Sequence, residues 1–193
     1  HNQEKGIVTM PSELETFLRV WDEEAKKTVA LLQCLPEGSY DFRPDPSGRS
    51  LGEMAWHLAE GDAYMSFFVE RRAFDMGGAR PPGIERPRAI AELAPGFERV
   101  HAEAVARIQK LSPADLGTQV RFFDGSERAI GSILWEGIVF HLIHHRAQLS
   151  LLCRLAGGVS PGMYGPNREQ MAAMRAAQEA QALKAEPVAA QPS

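Results

Sequence analysis

The stretch Phe140-His141-Leu142-Ile143-His144-His145-Arg146-Ala147-Gln148 contains three of the chain's six histidines. On an α-helix, positions i and i+4 lie on the same face, about 6 Å apart along the axis. His141 and His145 would therefore share one face, from which two imidazoles could bind one ion, whereas His144 points elsewhere. The stretch alone is compatible with two interpretations, a metal site or a set of histidines packed in a core.

Working outward, this stretch lies within a longer pattern of apolar residues at helical spacing, which predicts a helix from about Gly131 to the Gly157-Gly158 stop. The same pattern predicts three helices upstream. The first two begin with the capping boxes Ser12–Glu15 and Ser50–Glu53. The three upstream helices cover approximately residues 12–33, 50–74 and 90–111.

The connections between these helices carry their own signals. Pro95-Gly96 either kinks the third helix or sets its start, and Asp124-Gly125 predicts a short extended excursion before the fourth. Asn167 can cap a weaker fifth helix that ends near Leu183. We therefore predict an all-α four-helix bundle over residues 12–184. Residues 1–11 are interpreted as a disordered arm or tag remnant and residues 185–193 as a disordered tail.

The composition excludes several classes of protein. The net charge of −4 is spread over mixed charges, so the chain offers no basic surface for nucleic acid or an anionic membrane. No apolar run approaches the roughly 20 residues of a membrane span, and the beginning of the chain lacks the pattern of a secretory signal. Cys34 and Cys153 both lie among leucines, which favours buried, reduced thiols in a cytoplasmic protein.

A single histidine on an apolar helix face is usually a hydrogen-bonded core residue, but a pair changes that balance. Two buried imidazoles need two sets of polar partners, whereas one shared cation satisfies both. His57 lies on the apolar stripe of the second helix and is the third candidate ligand, with His101 of the third helix as its substitute. Three neutral histidines suit Zn²⁺ or Ni²⁺, with water filling an open position.

Rival metal motifs fit less well. The zincin motif requires glutamate directly after its first histidine, and Leu142 stands there. A di-iron bundle requires two Glu-x-x-His motifs, of which the chain has one, Glu98 to His101.

The stretch His141-x-x-His144-His145-Arg146-Ala147-Gln148 resembles the His-x-x-His-His-Arg-Gly-Gln signature of the DinB-like, or YfiT-like, family of four-helix metalloproteins. Met54-Ala55-Trp56-His57-Leu58 is similar to the family's segment with the upstream histidine. The resemblance covers roughly Glu13 to Glu169, and Ala147 departs from it because the family commonly has glycine there. Other similar segments are Leu35-Pro36-Glu37, Phe42-Arg43-Pro44-Asp45, Arg49-Ser50-Leu51-Gly52-Glu53 and Tyr164-Gly165.

This resemblance implies that His57, His141 and His145 hold a divalent metal with open or water-filled positions, and that the chain forms homodimers. It does not fix an activity, because some relatives are thiol-dependent transferases or isomerases and many have no known reaction. The sequence does not resemble the unrelated translesion polymerase that shares the family's name.

Three functions remain open. The first is a metal-dependent transferase that uses a low-molecular-weight thiol and a small electrophile. The second is a non-catalytic metal-binding stress or sensing protein, and the third is an interaction module with histidines in its core.

The charged and polar residues near the histidines are assigned more modest roles. Gln148 could orient a ligand or a water. Arg146 and Arg154 are better explained as structural or surface residues than as contacts to an anion. No general base is evident, because a solvated surface position is the better interpretation of Glu60, Asp62 and Glu136.

Overall fold

The computed structural model describes residues 10–185, and these residues are mostly helical, which confirms the predicted all-α bundle. The predicted arm (residues 1–11) and tail (residues 185–193) lie outside the described residues, apart from positions 10, 11 and 185. The elements in chain order are α1 Glu13–Leu32, α2 Leu51–Arg71, α3 Ile90–Ile108, a 3₁₀ turn Pro113–Gly117, β1 Gln119–Arg121, β2 Glu127–Ala129, α4 Ile130–Ile133, a π-helical segment Leu134–Phe140, α5 His141–Leu155 and α6 Arg168–Ala185.

The first two helices begin at the predicted capping boxes. At α1 the Glu15 N–H donates to Ser12 Oγ over 3.2 Å, while the Ser12 N–H donates to Glu15 Oε2 over 2.7 Å. Ser50 and Glu53 repeat the arrangement at α2, with distances of 3.2 and 2.9 Å. Each cap contributes about 1 kcal/mol to helix stability. These caps fix where α2 begins, and α2 carries His57.

In the bundle, α1 and α2 each pack against α3 and α5. The helices α1 and α2 are therefore diagonally opposite one another. Two buried tryptophans, Trp21 of α1 and Trp56 of α2, are the largest side chains of the core. A Cβ atom at Gly96 would lie 2.8 Å from the Trp56 ring. Gly96 therefore allows α3 to pack closely on α2, and the Pro95-Gly96 pair lies inside α3 instead of at its start.

The excursion before the fourth predicted helix is a two-stranded antiparallel hairpin in which Val120 pairs with Arg128. The helix that follows is continuous through α4, the π-helical segment and α5. Sequence periodicity did not predict the π-helical segment, which ends directly before His141. The predicted fifth helix is present as α6, and apart from the partly exposed Glu169 its described side chains are exposed. None of the described helices has the length and apolar character that crossing a bilayer requires.

The cysteine prediction is half correct. Cys153 is buried in α5, but Cys34 is exposed because α1 ends at Leu32 and the chain turns outward beyond it. Both thiols are free, and the Cys153 Sγ lies 3.6 Å from the Cys34 carbonyl oxygen.

Candidate metal centre

Three histidines from two helices meet at the contact between α2 and α5, and we call them the histidine cluster: His57, His141 and His145. One nitrogen of each lies within 4.8 Å of the others. The ring centroids are 5.1 Å apart for His57 and His141, and 4.5 Å apart for the other two pairs. The spacing of four residues therefore places His141 and His145 on one face, as predicted, and α2 brings His57 to them.

A glycine makes room for this contact. Gly61 follows His57 by one helical turn, and a Cβ atom there would lie 2.9 Å from Nδ1 of His141. The absence of a side chain at Gly61 lets the His141 ring occupy the space beside α2. Gly61 therefore allows the close approach of a histidine of the cluster.

Two side chains orient the cluster through the Nδ1 atoms. The Nδ1 of His145 lies 2.8 Å from Oε1 of Gln148, and the Nδ1 of His57 lies 3.4 Å from Oε2 of Glu60. When Nδ1 donates to these oxygens, Nε2 keeps a free lone pair, and this arrangement is the usual support of a metal-bound histidine.

Gln148 also connects the cluster to His144, since its amide Nε2 donates to His144 Nε2 over 3.2 Å. His144 is exposed and remains outside the cluster, as predicted.

Burial keeps two imidazoles of the cluster, those of His141 and His145, uncharged. It lowers the pKa of His141 to about 4, and the neighbouring His145 and His57 act in the same direction. Burial also lowers the pKa of His145, although the Gln148 hydrogen bond opposes this effect. Both imidazoles are therefore neutral at pH 7, and only a neutral imidazole can offer a lone pair to a metal.

The spacing of the cluster is compatible with one cation. Three nitrogens at roughly 2.0–2.1 Å from a tetrahedral zinc stand about 3.3 Å from one another. The candidate ligand atoms lie within 4.8 Å of one another, so the rings would move closer together around a bound cation. His57, His141 and His145 are thus the residues that could hold a metal.

His101, the predicted substitute, is engaged elsewhere. Its Nδ1 lies 2.8 Å from Oδ2 of Asp62, whose Oδ1 accepts a hydrogen bond from Trp21 Nε1 over 3.2 Å. The expectation that Asp62 is a solvated surface residue is wrong, because it is fully buried, and burial raises the pKa of its carboxyl group. The missed signal is its position four residues after Leu58, on the apolar stripe of α2.

Arg146 has the structural role that its sequence context favoured. It is buried, and its guanidinium donates to the carboxylate and carbonyl of Glu24 and to the Tyr164 hydroxyl. The sequence analysis did not predict that Glu24 is buried or that it pairs with Arg146. Arg154 pairs with Glu169 at 2.7 and 2.8 Å. These contacts join α5 to α1, to Tyr164 in the segment before α6, and to α6 itself.

Glu136 is exposed, as predicted, and Glu60 is partly exposed.

The fold and the cluster together define a class of protein, a helical bundle with two histidines one turn apart on α5 and a third on α2. A family model described as the DinB superfamily matches residues 21–149. The chain belongs to this superfamily.

Similar proteins agree with this assignment. The protein YrdA of Bacillus subtilis (strain 168) is 29% identical over 160 residues, which span 82% of this chain and 92% of YrdA. The crystal structure of a DinB-like protein from Bacillus cereus is 28% identical, with a TM-score of 0.64 over 78% of this chain and 97% of that one. The DinB-like protein YjoA of Bacillus subtilis, at 15% identity, shares the fold with a TM-score of 0.62 over 79% of this chain and 99% of its own.

Proposed function

We propose that His57, His141 and His145 bind one divalent cation, zinc or nickel. The observation that carries this proposal is the meeting of three half-buried imidazoles from two helices, with their ligand atoms within 4.8 Å of one another. Neutral nitrogen donors favour zinc and nickel over magnesium and calcium, which prefer oxygen. Three protein ligands also leave coordination positions for a small molecule.

We further propose that the protein is a transferase that joins a low-molecular-weight thiol to a small electrophile. When bound, the cation would supply a Lewis acid that lowers the pKa of a thiol and stabilises its thiolate form. The resemblance to a family in which some members use a low-molecular-weight thiol supports this choice of substrate. The partial exposure of all three histidines supports it as well, because a small molecule can reach them.

The chain's own residues have defined tasks in this proposal. Burial keeps His141 and His145 neutral, and Gln148 fixes the ring of His145 through Nδ1. Glu60 does the same for His57. Gly61 preserves the space that the His141 ring occupies. Each of these residues acts by holding a donor atom in place.

The second candidate is a metal-binding stress or sensing protein without catalysis. The observation that favours it is the position of Glu60, the carboxylate in contact with the cluster. Its oxygen lies against His57 Nδ1 at 3.4 Å, where it orients a ring instead of facing a substrate. A screen of small thiols with electrophiles, comparing metal-loaded and metal-free protein, separates the two functions. Metal-dependent conjugation supports the transferase.

We propose, in addition, that the chain forms a homodimer through the outer face of α5. Leu151 and Leu155 of α5 are more than half exposed, and so is Phe140, the last residue of the π-helical segment before α5. Phe140 precedes Leu151 by three helical turns and Leu151 precedes Leu155 by one, so the three side chains lie on one face. Ala147 lies on the same face, one turn before Leu151, and is exposed. Exposed apolar side chains that align in this way are typical of surfaces that pair with another chain.

The metal content of two histidine variants tests the metal site. His145→Ala removes a proposed ligand, and we expect the purified protein to lose its bound zinc or nickel. His144→Ala removes the neighbouring exposed imidazole, so it should keep the metal and serves as the matched control. Unchanged metal content in both variants, measured by elemental analysis, would rule out the proposed ligand set.

A further inference from the structure

A cleft of about 300 Å³ opens between α1 and α3, and we call it the α1–α3 cleft. Its walls are formed by the apolar side chains of Ala25, Val29 and Phe97 and by the ring of His101. The volume is at the lower end of the range of roughly 300–1,000 Å³ that holds small molecules. Since α1 and α2 are diagonally opposite, the α1–α3 and α2–α5 contacts are opposite edges of the bundle, and this cleft lies on the far side from the histidine cluster.

One nitrogen of His101 lacks a hydrogen-bond partner. Within residues 10–185 its Nε2 is buried and makes no hydrogen bond. Its Nδ1 lies 2.8 Å from Oδ2 of Asp62 on α2. The two nitrogens of an imidazole point in different directions, so Nε2 points away from this carboxylate. The His101 side chain is 11% exposed and lines the cleft, which places the unpaired nitrogen just behind the wall.

Asp62 determines whether this nitrogen donates or accepts. Burial raises the pKa of its carboxyl group, and the hydrogen bonds from His101 and from Trp21 Nε1 oppose that rise. An ionised carboxylate can only accept, so Nδ1 of His101 donates to it and, in a neutral ring, Nε2 keeps its lone pair. The ring is held edge-on to Trp21, with centroids 4.8 Å apart, and parallel to Phe97 at 5.8 Å. Nε2 is therefore a hydrogen-bond acceptor in a fixed position.

The charged side chains that line the cleft disfavour an anionic ligand. On α1, Asp22 and Lys26 pair with each other at 2.6 Å. On α3, Glu98 also lines the cleft, and it forms no ion pair within residues 10–185. The lining therefore has an excess of negative charge, which suits a neutral molecule better than a carboxylate or a phosphate.

We propose that the α1–α3 cleft binds a small neutral aromatic molecule with a hydroxyl group, whose O–H donates to Nε2 of His101. The apolar walls take the ring of the ligand, with the ring of Phe97 beside it. The hydrogen bond supplies the missing partner of Nε2, and a buried polar atom without a partner is unfavourable. This site goes beyond the proposed metal function and does not depend on it.

Phenol and toluene test the hydrogen bond, because toluene has a methyl group where phenol has its hydroxyl. Titration calorimetry on the full-length protein should show that phenol binds about tenfold more tightly than toluene. His101→Asn keeps an N–H for Asp62 and removes Nε2, so this variant should bind the two molecules equally. Absence of phenol binding, equal binding of both molecules to the unchanged chain, or the same preference in His101→Asn would overturn the proposal. Tighter binding of benzoate than of phenol would overturn it as well, because Nε2 would then be a donor.

Variants of α1 test the location of the site without changing His101. Val29→Phe fills the cleft, so phenol binding should be lost. Val20→Phe enlarges a partly buried valine of α1 outside the cleft and is the matched control, which should bind phenol as the unchanged chain does. His145→Ala should also leave phenol binding unchanged, which separates this site from the metal centre. Phenol binding that survives Val29→Phe, or that is lost in His145→Ala, contradicts the assigned cleft.

Discussion

Burial keeps two imidazoles of the cluster neutral, those of His141 and His145. The folded chain holds the pKa of His141 near 4, well below its ordinary value of 6.5, because desolvation penalises the cation and the other histidines repel it. The unfolded chain restores the ordinary value. Between about pH 6.5 and 4 the unfolded state therefore binds more protons at this position, and the free energy of unfolding falls as the pH falls.

We expect metal-free protein to lose stability over this window. Since His141 is partly exposed, solvent screening reduces its share of the loss to about 1–2 kcal/mol. Urea denaturation between pH 7 and 4 measures the effect. His141→Gln, which cannot take up the proton, should show a smaller decrease, whereas His144→Gln at the exposed neighbouring position should follow the unchanged chain. Identical pH profiles for all three proteins would contradict the assigned cause.

Histidine positions were easier to anticipate from sequence than the buried charges. The spacing of His141 and His145 is local, so helical geometry alone places them on one face. Asp62 and Arg146 are charged residues on apolar stripes, and their burial depends on partners from distant segments. Periodicity cannot identify those partners, which are Trp21 and His101 for Asp62, and Glu24 and Tyr164 for Arg146.

Among the elements, the contact between α2 and α5 determines the geometry of the site. The observed helices begin and end within a few residues of the predicted positions, because helix caps and glycine stops are local sequence signals. The sequence did not predict the π-helical segment Leu134–Phe140, because the spacing of its apolar residues fits an α-helix equally well. It ends at the residue before His141, and π-helical turns are often found at functional sites. The long continuous helix thus changes its winding where the histidines begin.

At this contact we expect Gly61→Ala to separate stability from metal binding. Alanine inside a helix is more favourable than glycine by about 1 kcal/mol, so the bundle should remain at least as stable. The added Cβ would meet His141 Nδ1 at 2.9 Å, which forces the ring to move. Metal affinity should fall about 10- to 100-fold, as it does when support of a ligand is lost.

Competition with a chromophoric chelator measures that affinity, and thermal unfolding measures stability. Gly137→Ala is the matched control, because its Cβ would make only ordinary contact with Met65 at 3.4 Å. A Gly61→Ala protein with unchanged metal affinity would show that the His141 ring does not need this space.

On the scale of the molecule, the bundle core is complete without α6. The described side chains of α6 are exposed apart from Glu169, which is partly exposed, and the family match ends at residue 149 in α5. The outer face of α5 is different, since it displays large apolar side chains on a helix that also forms part of the core. A monomer gains nothing from the exposure of these side chains, whereas a second chain could bury them.

If the outer face of α5 is the homodimer contact, Leu151→Glu/Leu155→Glu should convert the dimer to a monomer. Burying a leucine side chain contributes about 1.5–3 kcal/mol, and a dimer buries four of these leucines, so their replacement by charged residues removes most of the driving force. Sedimentation over a range of protein concentrations measures the change. Met76→Glu alters an exposed apolar residue of the α2–α3 loop and should leave the dimer intact. The double variant should keep its metal, because Leu151 and Leu155 lie outside the histidine cluster. If the double variant is still a dimer, the homodimer contact lies on another surface.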